Sequence, residues 1–356
     1  MGILWNQKKK INLKTNPKSI LVIQTAFIGD VILATSLLES LRSIFPAASI
    51  DFLLRKGNQN LLEKDPRLRK VLVLDKSEKY KSLIRVISDI RSARYDLLVN
   101  LQRFTTTGIV TILSGAKYTI GFNKNPLSLL FDHRVKHEIG EEGTNLHEID
   151  RNHHLINSLT ELGPAKPKLF IPDSASDKIK NYTGKPYICI APASVWFTKQ
   201  YPASGWVSLI NSLPSDLTIY LLGAASEYQL AAQIVSGCEG HSEVINLAGE
   251  LNLLESAALM KQAKLVYTND SAPMHLASAV NAPVCAVYCS TIPAFGFGPL
   301  SDFARIVEVD SPLYCKPCGL HGYKSCPEGH FKCANDIKTK QLTDVWELIQ
   351  NRSESV

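Results

Sequence analysis

The sequence predicts an α/β protein, with two doubly wound parallel-sheet lobes and a cleft between them. Three observations indicate this class. Short apolar runs alternate with helix-period segments, as in βαβ units. This alternation stops in a stretch with four prolines, residues 163–186, and then restarts. The chain, at 356 residues, is also long enough for two domains of ordinary size.

Nine segments are predicted to be strands. In the N-terminal half they lie at residues 20–24, 50–54, 71–75 and 95–102. In the C-terminal half they lie at residues 187–194, 217–227, 243–251, 264–271 and 283–290. Thr343 is a candidate N-cap for a last helix.

These elements divide the chain into five parts. We predict a basic N-terminal tail (1–18), an N-terminal lobe (19–165) and a linker (166–184). A C-terminal lobe (185–338) and a C-terminal helix and tail (339–356) follow.

The composition, 45% hydrophobic and 20% charged, is that of a globular protein. No apolar run reaches the roughly 18 residues of a membrane span, and no apolar segment follows the N-terminal lysines as in a secretory signal. We therefore expect a cytoplasmic protein. The formal charge of +6 is too diffuse to indicate nucleic acid as a partner. The N-terminal lysines fit either a solvated tail or a weak contact with an anionic membrane surface. They are Lys8, Lys9, Lys10, Lys14 and Lys18.

Ligands of open parallel sheets bind where strands enter helices, and the first such corner is "TAFIGDV". Gly29 permits a tight turn, and Asp30 lies at or near the N-cap of the next helix. Asp30 is interpreted either as a helix cap or as a functional carboxylate. The fingerprint G-x-G-x-x-G is absent, which argues against a dehydrogenase or epimerase with a nicotinamide cofactor.

Two further corners suit an anion. "APASVWFTKQYP" places Ser194, Thr198 and Lys199 after a strand, and hydroxyls with a lysine can bind a phosphate. In "TNDSAPMHLASAVNAPV", Asp270 or Ser271 caps a helix whose first N–H groups favour a phosphate. His275 lies in the first turns of that helix and could equally be a packing residue. Asn281 is placed to end the helix in the left-handed conformation.

Together these motifs resemble glycosyltransferase family 9, the ADP-heptose:lipopolysaccharide heptosyltransferases, and heptosyltransferase II in particular. They are "IGDVILATSLLESLRSIFP", "SVWFTKQYP" and "TNDSAPMHLASAVNAPV", supported by "VNLQRFTTTGIVTILSGAKYTIGF" and "YCKPCGLHGYKSCPEGHFKCANDI". The resemblance spans residues 19–340. It implies a GT-B fold of two Rossmann-like lobes, of which the C-terminal lobe binds the nucleotide sugar and the N-terminal lobe binds the acceptor.

The resemblance also implies roles for single residues. Asp30 matches the catalytic base, and Glu227 matches a nucleotide-binding carboxylate near the ribose. The residues that match the diphosphate- and sugar-binding positions are Ser194, Thr198, Lys199, Asp270, Ser271 and His275. The chain departs from the family at Ala272, where glycine is usual.

The implied function is inverting transfer of a heptose from ADP-heptose to a lipopolysaccharide inner-core acceptor, a Kdo or heptose on lipid A. No cofactor is required for catalysis. The partners are the nucleotide-sugar donor and a lipid-linked saccharide at the cytosolic face of the inner membrane. Two alternatives remain: a family 9 transferase that uses another nucleotide sugar, and a non-catalytic nucleotide-sugar binding protein.

Four C-terminal cysteines, Cys315, Cys318, Cys326 and Cys333, include one C-x-x-C pair. Reduced thiols packed under a loop are the first interpretation, and a structural zinc ion is the alternative. A second segment carries His137, His147, His153 and His154 among carboxylates. It is interpreted first as a polar lobe edge and helix entry, and a metal site is the alternative.

Overall fold

A computed structural model describes residues 13, 15–139, 146–238, 241 and 243–353. The chain divides into two compact units, Met1–Phe170 and Ile171–Val356, called unit 1 and unit 2 below. The predicted tail at residues 1–12 lies outside the described residues. No helix in the described ranges has the length and apolar character to cross a bilayer.

Unit 1 contains a six-stranded parallel sheet with the strand order β3-β2-β1-β4-β5-β6. Its strands are β1 (Ser19–Ile23), β2 (Ser49–Arg55), β3 (Lys70–Leu74), β4 (Leu97–Asn100), β5 (Tyr118–Phe122) and β6 (His133–Val135). Residues 20–23 of β1 are fully buried, as expected for a central strand covered by helices on both faces.

The helices of unit 1 are α1 (Ile28–Ile44), α2 (Lys79–Ala93), α3 (Thr105–Leu113) and α4 (Glu148–His154). Helix α1 is buried along most of its length and packs against α4. The chain leaves unit 1 along α1, where Ser36 Oγ donates to Ala165 O (2.7 Å) and Thr35 Oγ1 accepts from Lys168 N–H (2.9 Å).

Unit 2 contains a second six-stranded parallel sheet with the order β12-β11-β10-β7-β8-β9. Its strands are β7 (Tyr187–Ala191), β8 (Thr218–Leu221), β9 (Val244–Asn246), β10 (Val266–Asn269), β11 (Val284–Val287) and β12 (Ala304–Val307). Trp206 and Tyr267, both fully buried, are among the largest side chains of its core.

The helices of unit 2 are α5 (Asp173–Lys178), α6 (Ala203–Asn211), α7 (Tyr228–Gly237), α8 (Leu253–Gln262), α9 (Ala272–Ala279), α10 (Lys332–Asn335) and α11 (Thr339–Ser353). Helix α5 lies within the segment predicted as a linker. Helix α11 packs on α6 and β12, within unit 2.

The two predicted doubly wound parallel sheets are confirmed, and each of the nine predicted segments overlaps a strand. Three strands escaped prediction: β5 contains Gly121, β6 has only three residues, and β12 is partly exposed. Asn281 has the predicted positive φ of 56°. The prediction for Thr343 is wrong, because α11 begins four residues earlier and the Thr343 hydroxyl donates to Lys340 O inside the helix.

Candidate active site

The carboxyl ends of three adjacent strands of unit 2 carry polar side chains. Lys199 follows β7, Asp270 follows β10, and Thr291 follows β11. These strands are neighbours in the sheet. Their three side chains therefore converge at one edge, where ligands of such sheets bind.

Lys199 and Asp270 form an ion pair, with Nζ 2.7 Å from Oδ2. Thr291 Oγ1 donates to the same carboxylate oxygen over 2.6 Å. The side chain of Lys199 is 14% exposed and that of Asp270 is 9% exposed. An ammonium group has three N–H donors, so this pair leaves Lys199 able to bind a further anion.

Helix α9 begins beside this pair. Ser271 is its N-cap, in extended conformation, and Ala272 is its first residue. The Ser271 hydroxyl lies 3.4 Å from both Ala193 O and Asn269 O and donates its one hydrogen toward these carbonyls, so it caps no N–H of the helix. The helix N-terminus thus retains the positive potential that attracts phosphate. Ala272 introduces no strain, because it adopts helical backbone.

Asn269 is a residue that the sequence analysis missed. Its buried amide donates to Pro192 O (2.7 Å) and accepts from Tyr201 N–H (2.9 Å). This clamp fixes the loop after β7, which contains Lys199, to the end of β10. An asparagine inside a strand-like run gave no signal for it.

Thr198 is buried and bonded to a C-terminal loop. Its Oγ1 accepts from Tyr323 N–H (2.7 Å) and from Ser290 Oγ (3.0 Å). The neighbouring Gly322 has φ +76°, and a Cβ there would lie 2.8 Å from Thr198 Oγ1 and 3.0 Å from Lys199 Cγ. Close approach at this glycine lets the loop pack on the lysine.

Ser194 and His275 complete the group predicted to bind diphosphate and sugar. Ser194 is half-buried, and its carbonyl accepts from Gln200 Nε2 over 2.6 Å. His275 is 5% exposed in the second turn of α9. Ser194 lies in the loop after β7 that also contains Lys199, and His275 lies in α9, the helix whose N-cap is Ser271.

Glu227 lies after β8, the strand next to β7. Its Oε2 accepts from Ala224 N–H over 2.8 Å, which fixes the turn into α7. Gly223 allows this, since a Cβ there would lie 2.7 Å from Glu227 Oε2.

Asp30 lies in unit 1, in the first turn of α1, and Phe27 rather than Asp30 is the N-cap. Asp30 Oδ2 accepts from Phe27 N–H over 3.1 Å. Burial raises the pKa of the half-buried Asp30 carboxyl to about 6, and the charge of Glu148 adds to this rise. The backbone hydrogen bonds and the charge of Arg103 oppose it.

Glu148 belongs to a charged cluster that the sequence analysis did not connect with Asp30. It begins α4, which packs on α1, and its Oε2 accepts from Arg151 Nε over 2.8 Å. Burial raises the pKa of Glu148. Burial also lowers the pKa of His137 to about 3, and Arg103 and Arg151 act in the same direction. His147 is the N-cap of α4, so the predicted helix entry is confirmed.

The zinc alternative for Cys315, Cys318, Cys326 and Cys333 is not supported. All four are free thiols, and no group of three or more His, Cys, Asp or Glu residues in the described part of the chain is arranged to hold a metal ion. Cys333 is buried in α10 within the core of unit 2, and Cys318 Sγ donates to Cys315 O (3.2 Å).

The chain has two doubly wound parallel-sheet units, and Lys199, Asp270 and Thr291 meet at the carboxyl edge of the second. This architecture is that of Rossmann-like, two-domain α/β proteins, a class that includes GT-B glycosyltransferases. The sequence profile "Glycosyltransferase family 9 (heptosyltransferase)" matches residues 83–325. The chain belongs to this family and is a glycosyltransferase.

Two Escherichia coli relatives illustrate the sequence similarity. Lipopolysaccharide heptosyltransferase 2 is 26% identical over 351 residues, which cover 91% of this chain and 96% of the relative. Lipopolysaccharide heptosyltransferase 3 is 26% identical over 283 residues, which cover 74% of this chain and 82% of the relative.

Solved structures share the fold. A family 9 glycosyltransferase from Veillonella parvula matches with a TM-score of 0.80 at 22% identity, over 93% of this chain and 97% of that one. E. coli ADP-heptose lipopolysaccharide heptosyltransferase II matches with a TM-score of 0.77 at 22% identity, over 94% and 99%. An E. coli heptosyltransferase with ADP-2-deoxy-2-fluoro heptose matches with a TM-score of 0.67 at 19% identity, over 92% and 99%.

Proposed function

We propose that this glycosyltransferase transfers a heptose from ADP-heptose to a lipopolysaccharide inner-core acceptor, with inversion at the anomeric carbon. The observation that carries the proposal is the meeting of Lys199 with Asp270 beside the N-terminus of α9. Relatives named as lipopolysaccharide heptosyltransferases, and a structural neighbour that holds an ADP-heptose analogue, support the choice of donor and acceptor class.

Unit 2 binds the donor in this proposal. Lys199 and the first N–H groups of α9 neutralise the diphosphate, which carries more negative charge as it leaves. Asp270 is an anion and repels a diphosphate, so its role is to orient Lys199 and to accept from hydroxyls of the sugar. Glu227, after the adjacent strand β8, accepts from the ribose hydroxyls.

Unit 1 binds the acceptor, and Asp30 is the general base. The acceptor hydroxyl gives its proton to the Asp30 carboxylate while its oxygen bonds to the anomeric carbon. The bond from that carbon to the diphosphate oxygen breaks, and ADP leaves with the electron pair. A pKa of about 6 suits this role, since the carboxylate is ionised at neutral pH yet more basic than an ordinary aspartate. We also propose that the protein works at the cytosolic face of the inner membrane, where a lipid-linked acceptor lies.

Thermal unfolding with ADP, ADP-heptose, UDP, GDP and NAD tests the donor. A ligand at 100 times its Kd adds about 2.7 kcal/mol of stability. We expect a rise in Tm with ADP and a larger one with ADP-heptose. A rise in Tm with UDP or GDP alone would mean that the donor is another nucleotide sugar and not ADP-heptose.

A transfer assay with purified inner-core lipid A acceptors separates a transferase from a binding protein. We expect a heptosylated product by mass spectrometry and an inverted anomeric configuration by NMR. ADP-heptose binding without product on any of these acceptors would refute the acceptor assignment, and retained configuration would refute the single displacement.

A further inference from the structure

The outer face of α2 exposes two large apolar side chains. Tyr80 is 71% exposed and Ile84 is 69% exposed. They are four residues apart and therefore neighbours on one helix face. The opposite face of α2 packs on the core of unit 1 through Val86 and Ile90. The exposure of Tyr80 and Ile84 is thus a property of the surface and not of a frayed helix.

Basic residues adjoin this apolar pair, and one of them, Arg85, also pairs with Glu78 over 3.4 Å. Lys81 and Arg85, both exposed, directly follow Tyr80 and Ile84. Residues 76–94 contain six basic and two acidic residues, an excess of four positive charges in a chain whose formal charge is +6. Helix α2 and its flanks are therefore locally basic, in addition to the five lysines of residues 1–18. Apolar side chains among lysines and arginines are typical of helices that lie on anionic membranes.

The start of α2 lies at the same edge of the unit 1 sheet as the corner that contains Asp30. Helix α2 follows β3 and starts at the carboxyl edge of the unit 1 sheet. Lys76 Nζ, just before α2, donates to Thr25 O over 3.2 Å, and Thr25 leads into the turn before Asp30. The start of α2 is thereby fastened to the corner that presents the candidate base.

We propose that Tyr80, Ile84, Lys81 and Arg85 form a docking face for anionic phospholipid, which holds unit 1 on the membrane that carries the acceptor. That a membrane is involved rests on the proposed function. The place of contact rests on the exposed face of α2 alone. Charge complementarity selects the occupant: four excess positive charges favour an anionic lipid surface over a second copy of this basic face.

Co-sedimentation of the full chain with vesicles of phosphatidylethanolamine and phosphatidylglycerol tests the docking face. We expect binding to these vesicles, weaker binding at high salt and little binding to phosphatidylcholine vesicles. Lys81→Gln with Arg85→Gln should weaken binding by about 30-fold, since each basic residue near the surface contributes about 1 kcal/mol. Tyr80→Ser with Ile84→Ser should weaken it by about tenfold or more, because both side chains lose their burial in the lipid interface.

Leu129→Ser is the matched control, because Leu129 is 77% exposed in the same unit and lies outside α2. It should bind vesicles as the unaltered protein does. Equal binding by the α2 variants, or an equal loss in Leu129→Ser, would overturn the proposal. Sedimentation velocity adds a third test: a dimer that only the Tyr80 and Ile84 substitutions dissociate would assign the face to a second copy instead.

A soluble, lipid-free saccharide acceptor separates this proposal from the proposed function. The α2 variants should retain the turnover of the unaltered protein on it and lose turnover only on acceptor embedded in vesicles. A lack of turnover by the unaltered protein on both acceptors would refute the transferase assignment, whereas the vesicle measurements would still decide the docking face.

Discussion

Lys199 and Asp270 lie 71 positions apart in the sequence and form a 2.7 Å ion pair. The pair exists because β7 and β10 are neighbours in the sheet, so that the residues which follow them meet at the carboxyl edge. Thr291, after the next strand, donates to the same carboxylate. Three separate stretches of sequence thus hold one ammonium group beside the N-terminus of α9.

Lys199→Met should weaken ADP binding by about 10- to 100-fold, since a charge-assisted hydrogen bond to phosphate contributes about 1.5–3 kcal/mol. Isothermal titration calorimetry of the purified variant measures this Kd. Lys185→Met is the control, because Lys185 pairs with Glu243 just before β7, at the opposite edge of the sheet. Equal Kd values in the Lys199 variant and the unaltered protein would exclude Lys199 from the diphosphate site.

Gly322→Ala should lower both the free energy of unfolding and ADP affinity, because the new Cβ would crowd Thr198 and Lys199. Gly329→Ala is a close control: its φ of +71° is similar to the +76° of Gly322, but a Cβ there meets nothing within 4 Å. The backbone cost, about 1 kcal/mol, is common to both variants. Urea unfolding and calorimetry should therefore show a larger loss for Gly322→Ala. Identical losses of stability and ADP affinity in the two variants would show that the close approach of Gly322 to Thr198 and Lys199 contributes to neither.

Periodicity and strand-to-helix corners predicted most of the fold, because buried parallel strands produce continuous apolar runs between turn residues. Strands β5, β6 and β12 lacked such runs. Gly121 in β5 has a physical reason, since a Cβ there would lie 2.6 Å from Phe131 Cε2. That contact is between residues ten positions apart and is invisible to local patterns.

The site was predicted in part. The motifs identified Lys199, Asp270 and Ser271, but not the bonds that hold them, because Asn269, Thr291 and Gly322 act through tertiary contacts. The effect of Glu148 on Asp30 was also beyond local reasoning, since the two residues are far apart in sequence and meet through the packing of α4 on α1. The rise in the pKa of Asp30 to about 6 depends on burial and on the charge of Glu148.

Asp30→Asn should abolish most turnover and, at about pH 8, stabilise the fold. The pKa of Asp30 rises from 3.8 to about 6 on folding, so at high pH the folded state must bury a charge that the unfolded state solvates. This penalty is at most about 3 kcal/mol, reduced by solvent screening at a half-buried site. It disappears as the pH falls through 6 toward 3.8, where the carboxyl of the folded state is protonated.

Thermal unfolding across this pH range measures the difference between the two proteins. Asparagine keeps an oxygen that can accept from Phe27 N–H, so the first turn of α1 should remain intact. We expect a higher Tm than that of the unaltered protein at high pH and equal values near pH 4. A variant that is less stable at high pH would show that the ionised carboxylate stabilises the helix more than its burial costs.

Turnover of the unaltered protein should rise with pH through a midpoint near 6 and then level off, because the base must be ionised to accept the acceptor proton. Glu148→Gln should move this midpoint down, since the charge of Glu148 raises the pKa of Asp30. Glu39→Gln is the control, because Glu39 also lies on α1 but pairs with Arg67. Steady-state kcat/KM measured against pH for all three proteins reports ionisations of the free enzyme and therefore tests both expectations. A midpoint that stays unchanged in Glu148→Gln would mean that Glu148 does not act on the group that titrates, and an unaltered protein with no titration near pH 6 would remove Asp30 as the base.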